Sequence, residues 1–105
     1  MPTFLLITKH SPENCPMYNA KSMKVYMEAM EKTDVLMKKH KVKLVGSAEV
    51  PNEHSSYAIY EAPSFEAFKE FGMEPAIIAM GQFLTMEVKP AMSPEEIAQM
   101  LQHMK

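Results

Sequence analysis

The chain has 105 residues, enough for a single domain spanning positions 1–105, and its 47% hydrophobic and 23% charged content excludes a disordered chain. No apolar run in it is long enough to cross a bilayer as a helix, so no membrane partner is expected. The formal net charge is −2 and all 11 basic residues are lysines; without the planar, bidentate fork of arginine, nucleic-acid recognition is not expected either.

Met1 to Thr8 has no basic leader or small-residue cleavage site and reads as a strand, apolar on both faces over Thr3 to Thr8. That reading, with Cys15 as the single cysteine and so no internal disulfide, predicts a cytoplasmic protein. His10 to Pro16 is a loop, because Pro12, Asn14 and Pro16 interrupt any regular pattern. Asn19 is placed to cap a helix from about Ala20 to His40, whose last turn gathers Lys38, Lys39, His40 and Lys41 where positive charge favours the dipole. The stripe Met23, Tyr26, Met27, Met30 and Met37 is expected to lie on the sheet. With 12 methionines in the chain, the expected role of methionine is to fill core and interface gaps rather than to ligate copper, which would want Met and His in a tight cluster.

Val42 to Val50 reads as a strand with a bulge or bend at Gly46, and Pro51 to His54 as the turn into a third strand, Ser56 to Ala62. Ser64 caps the next helix, with Phe65, Phe68 and Phe71 on one face. Gly72 and Pro75 divide it into pieces of about 65–72 and 75–81. Phe83 to Lys89 alternates, Leu84, Met86 and Val88 against Thr85, Glu87 and Lys89, as a fourth strand. Ser93, Pro94 and Glu96 combine a cap, a first-turn proline and a capping-box glutamate ahead of a short amphipathic terminal helix.

Strand, helix, strand, strand, helix, strand and tail helix is the order of the split βαβ, ferredoxin-like α+β fold, a four-stranded antiparallel sheet with its helices on one face. Right-handed crossovers place the first strand centrally beside the third. The second face of the sheet, greasy along the first strand, then needs another subunit to cover it, and a homodimer is expected.

In this order of elements, in the Glu61 to Phe68 entry to the second helix and in the Glu87 to Pro90 exit of the last strand, the chain resembles the dimeric α/β-barrel superfamily over roughly residues 2–90. The resemblance implies subunits whose open sheet faces pack into a barrel. The superfamily includes cofactor-free monooxygenases, muconolactone-isomerase-like proteins, haem enzymes and ligand-sensing domains, so it implies a fold and an oligomer more than a reaction.

Antiparallel pairing of the first and third strands brings His10 and His54 to one edge of the sheet, together with the loop carrying Glu13 and Cys15 and the start of the first helix near Tyr18. His10, Glu13, Cys15 and His54 are residue types that hold a transition ion such as zinc, and three protein ligands with one open position would make a catalytic type of site. Alternatively His10 or His54 serves as general base toward an activated carbon in an apolar pocket, with Tyr18 as a hydrogen-bond donor, as in a cofactor-independent monooxygenase or isomerase. Pairs of surface histidines and structural tyrosines are the plain counterpart of these readings. Cys15 as a reactive thiol near a helix start stays open beside an inert one. Haem finds no histidine in the second helix, leaving only His40 and His103 as axial candidates. The expected function is therefore small-molecule or metal binding near the end of the first strand, with a histidine-based enzyme and a non-catalytic sensing module as alternatives.

Overall fold

The structure is a computed structural model and describes residues 1–104. In chain order it has β1 (Thr3–His10), α1 (Ala20–His40), β2 (Lys43–Val50), β3 (Ser55–Glu61), α2 (Phe65–Gly72), α3 (Pro75–Ala79), β4 (Leu84–Ala91) and α4 (Pro94–His103). Short 3-10 turns at Pro12–Asn14, Pro51–Glu53 and Met80–Gln82 fill the connections. All strand pairs are antiparallel and the sheet order is β2-β3-β1-β4, the ferredoxin-like α+β arrangement.

Local chemistry sets the element ends. The Ser22 amide donates to Asn19 Oδ1 at 3.0 Å, the Ala67 amide donates to Ser64 Oγ at 3.1 Å, and Ser93 with Glu96 forms a complete capping box. After α1, Lys41 turns into the left-handed region at φ 58°, and its amide bonds back to the last turn of the helix. The bulge expected at Gly46 is present as a register shift between Leu44 and Gly46 that leaves Val45 unpaired.

Register divides the sheet into two faces. Phe4, Leu6, Thr8 and His10 of β1 lie with Tyr60, Ala58 and Ser56 of β3 on the helix side, while Leu5, Ile7 and Lys9 lie with Ile59, Tyr57 and Ser55 on the other. The helix side carries the core: Phe4, Ala29, Val42, Ala62, Phe68, Phe71, Ile77, Met80 and Phe83 form one buried cluster. Phe4 stacks on Phe68 with ring centroids 5.0 Å apart, and Tyr60 leans on Phe68 and Phe71. Each such aromatic contributes roughly 1.5–3 kcal/mol by burial, which makes α2 the main lid of the sheet.

Two expectations need correction. The face of α1 that meets the sheet is Ser22, Val25, Tyr26, Ala29, Leu36 and Met37, whereas Met23, Met27 and Met30 are 39%, 50% and 42% exposed. Ala29 is wholly buried, so the helix axis comes down close to the strands at a small residue, and the longer methionines are turned outward. Methionine fills this core at two points, Met80 within the buried cluster and Met37 packed against it. The piece expected at 75–81 is also shorter, ending at Ala79 and tightening into the 3-10 turn Met80–Gln82.

Beyond the core, α4 is tied to the sheet by Thr3, whose hydroxyl donates to Glu96 Oε1 at 2.9 Å, while Ile97, Met100, Leu101 and Met104 are exposed. None of the described helices is long and apolar enough to cross a membrane.

Candidate functional site

The helix side of the sheet changes character toward the end of β1. Below the aromatic core come Thr8 and Ser56, whose hydroxyls bond to each other across β1 and β3, and then the two histidines. His10 is the last residue of β1; its amide donates to the carbonyl of His54 at 3.0 Å, which extends the β1–β3 ladder by one step. That step puts the two imidazoles face to edge, with His54 Nδ1 and His10 Nε2 3.3 Å apart.

His54 reaches this position through an unusual backbone. It closes the 3-10 turn Pro51–Glu53 at φ 52° and ψ 42°, the left-handed region that non-glycine residues seldom occupy. Cys15 arrives on the loop between β1 and α1. The 3-10 turn Pro12–Asn14 ends on it, its amide donates to the Pro12 carbonyl, and its own carbonyl accepts from the amides of Tyr18 and Asn19 at 2.9 and 2.8 Å. Anchored at both ends, the loop buries the thiol to 4% exposure.

The three side chains converge. One ligand atom each from His10, Cys15 and His54 lies within 4.8 Å of the others, a cluster of one sulfur and two nitrogens. Two nitrogens at about 2.0–2.1 Å from a tetrahedral zinc stand about 3.3–3.4 Å apart. The histidine nitrogens have that spacing at 3.3 Å, long for a hydrogen bond between imidazoles. Soft thiolate with two imidazoles is a donor set suited to zinc or copper rather than to magnesium or calcium.

Burial, and then repulsion from His54, hold the His10 imidazole below the ordinary histidine range, while Glu49 pulls the other way. Glu49 pairs with Ser56 across β2 and β3 and so shares the helix side with the histidines. Its charge also adds to the burial that pushes the Tyr26 hydroxyl up. Glu49 is not singled out by the sequence, because the bulge at Val45 resets the alternation of β2 and conceals which face Glu49 takes.

Glu13 and Tyr18, the other two residues proposed for this edge, are not brought into the cluster. Glu13 sits on the exposed 3-10 turn, its carboxylate held below the usual range by its own backbone amide and by Ser11. Tyr18 is 79% exposed. His40 lies at the far end of α1, its Nε2 2.7 Å from Glu74 Oε1 and its ring against Phe71, and His103 is exposed on α4. A polar recess beside the Cys15 loop holds about 110 Å³ and is lined by Asn14, Asn19, Lys21, Ser22 and Gln82, none of them a member of the cluster.

Solved structures share this chain's fold. A protein of unknown function from Rhodopseudomonas palustris superposes with a TM-score of 0.57 at 14% identity, covering 89% of this chain and 85% of that one. An antibiotic biosynthesis monooxygenase gives a TM-score of 0.54 at 13% identity, covering 89% of this chain and 100% of that one. SnoaB, a cofactor-independent oxygenase from Streptomyces nogalater, gives 0.51 at 15% identity over 88% of this chain and 91% of that one. What these structures share with this chain is the fold, a four-stranded antiparallel sheet with its helices. At these identities the likeness concerns the backbone and leaves the chemistry to this chain's own residues. No family model matches the sequence, and no curated protein matches it.

Proposed function

We propose that this ferredoxin-like chain binds a transition ion of the zinc type through His10 Nε2, His54 Nδ1 and Cys15 Sγ, and that it works as a homodimer. The observation that carries the reading is the convergence of the three ligand atoms within 4.8 Å, two of them at the spacing of tetrahedral ligands. Three protein ligands leave a fourth position for water or a small molecule, and an ion held this way would polarise a bound carbonyl or acidify a bound water. The protein's own part is to hold the donors in place. The β1–β3 ladder sets the two imidazoles, the Pro12–Asn14 turn sets the thiol, and the buried surroundings favour thiolate pairing with the cation over contact with water. Wild type purified without a histidine tag is expected to carry about one metal per chain, and Cys15→Ser and His54→Ala to lose it with circular dichroism unchanged. A metal-free wild type that takes up no stoichiometric zinc or copper on titration would sink the reading.

A second reading has a specific support. With burial lowering its pKa, His10 is suited to take a proton from a small aromatic or lactone substrate, in the manner of a cofactor-independent oxygenase, the description carried by the structural neighbour SnoaB. Turnover of such substrates by metal-free wild type, set beside His10→Ala and His54→Ala, tests it; equal rates in all three dismiss the base.

A further inference from the structure

The last helix stands off from the rest of the chain. A compact domain of this length has a radius of gyration of about 13 Å, whereas this one measures 15.3 Å and extends 54 Å along its longest axis. Among the described residues, none from α4 joins the buried core or packs against it, and the one side-chain hydrogen bond from α4 to another element is that between Glu96 and Thr3. Ile97, Met100, Leu101 and Met104 share one side of the helix at spacings of three and four, and each is at least 42% exposed. A helix of 10 residues is marginal in water by itself, so this apolar stripe calls for a cover.

Where α4 starts says which way it leaves. Thr3 alternates with Phe4 and so takes the open face of the sheet with Leu5 and Ile7, in one row with Glu61 and Ala91. The bond to Glu96 therefore roots α4 at the end of the face that the proposed homodimer buries. That face is narrow for the purpose. A specific interface takes roughly 800 Å² from each partner, and the apolar band consists of Leu5, Ile7, Tyr57 and Ile59, to which α4 adds the four side chains of its stripe. Chemistry speaks against a lipid surface, because the polar side of α4 carries Glu95, Gln99, Gln102 and His103 without a lysine, where a helix lying on a bilayer is rich in basic residues. A second copy offers matching ground: its edge strands β2 and β4 expose Leu44, Val45, Met86 and Val88, and a helix laid over an open edge protects it from further strand pairing.

We propose that α4 is an exchanged arm: from each subunit it crosses to a second copy of this chain and lays Ile97, Met100, Leu101 and Met104 along an edge of that copy's sheet. The arm contact presupposes the homodimer proposed above and adds to it the element that clasps the two copies.

Sedimentation of wild type, Leu101→Lys and Gln102→Lys over a dilution series tests it. Leu101→Lys sets a charge in the stripe and is expected to raise the dimer dissociation constant on the order of tenfold or more, while Gln102→Lys, the same charge on the polar side, leaves it nearly unchanged, both with the circular dichroism of wild type. In wild type assembled from chains with ¹³C-methyl methionine and unlabelled chains, isotope-filtered NOEs are expected from the Met100 and Met104 methyl groups to protons of the other copy. A dimer whose constant Leu101→Lys leaves unchanged, or Gln102→Lys raises as much, overturns the arm and leaves the homodimer standing. So do Met100 and Met104 methyl groups that touch only their own copy, or that phosphatidylglycerol vesicles shield in place of a second copy. A monomeric wild type overturns both.

Discussion

His54 holds a left-handed backbone that a residue with a Cβ adopts at a cost of roughly 1–2 kcal/mol. The strain aims its imidazole at His10, which is a reason for histidine to stand where glycine would be more stable. His54→Gly is therefore expected to be more stable than His54→Ala by about 1 kcal/mol in chemical denaturation, while both lose metal. Equal stability of the two would mean that the turn relaxes away from φ 52° once the imidazole is gone. At the other end of α1, Glu74 accepts from Lys39 and His40 through one carboxylate oxygen, at 2.7 Å in each case, and these bonds hold its carboxyl below the ordinary glutamate range. A lowered folded-state pKa means that the unfolded chain binds the proton more tightly. The stabilisation is therefore present above the ordinary glutamate pKa and is lost as pH falls through the lower folded value. Urea midpoints measured from pH 7 down to pH 3 should show this acid-side loss in wild type and a smaller one in Glu74→Gln; parallel curves would assign the slope to other carboxylates.

Two serines do the same job at the starts of α2 and α4, yet their removal should read out differently. Ser64 caps the helix that carries Phe68 and Phe71 into the core, so Ser64→Ala is expected to lower global stability by about 1 kcal/mol. Ser93 caps a helix held to the sheet through the bond from Thr3 to Glu96, with its apolar residues exposed; Ser93→Ala should speed amide exchange within α4 and leave the global midpoint nearly unchanged. A shift of the midpoint as large as that of Ser64→Ala would mean that α4 is part of the cooperative core. Both caps are legible in the sequence because the signal is local, a hydroxyl followed by a favourable first turn. The buried face of α1 is not. Its sequence carries two stripes at helical spacing, one rich in methionine and one mixing Ser22, Ala29 and Thr33 with Val25 and Leu36, and hydrophobicity favours the first, of which only Tyr26 and Met37 pack on the core. What decides is the distance between helix and sheet, a tertiary quantity that rewards the small residue at Ala29. The meeting of His10 and His54, by contrast, follows from strand order alone, whereas the withdrawal of Glu13 depends on how a 3-10 turn orients one side chain.

For the molecule as a whole, the decisive surface is the sheet face that no helix of this chain packs over in its core. Along its middle run Leu5 and Ile7 of β1 beside Ile59 and Tyr57 of β3, with Ile59 at 41% exposure. On the same face β4 presents Glu87 opposite Ile7 and Lys89 opposite Leu5, and these two charges sit 3.6 Å from each other. A strip with both signs next to an apolar band is self-complementary under a two-fold axis: a second copy can cover the band while each Lys89 faces a Glu87. In the proposed homodimer, covering the band would be driven by the hydrophobic effect, and pairing the strip would fix the register of the two sheets. Ile59→Lys places an unpaired cation in the middle of that interface and is expected to convert a dimer into a monomer in sedimentation at micromolar concentration. Glu87→Lys should weaken association in a salt-dependent way, and Lys89→Glu combined with it should restore part of the loss by exchanging the two signs. If wild type sediments as a monomer under these conditions, the homodimer fails and the barrel with it, while the His10, Cys15 and His54 cluster, built within one chain on the opposite face of the sheet, would still be expected to take up its metal.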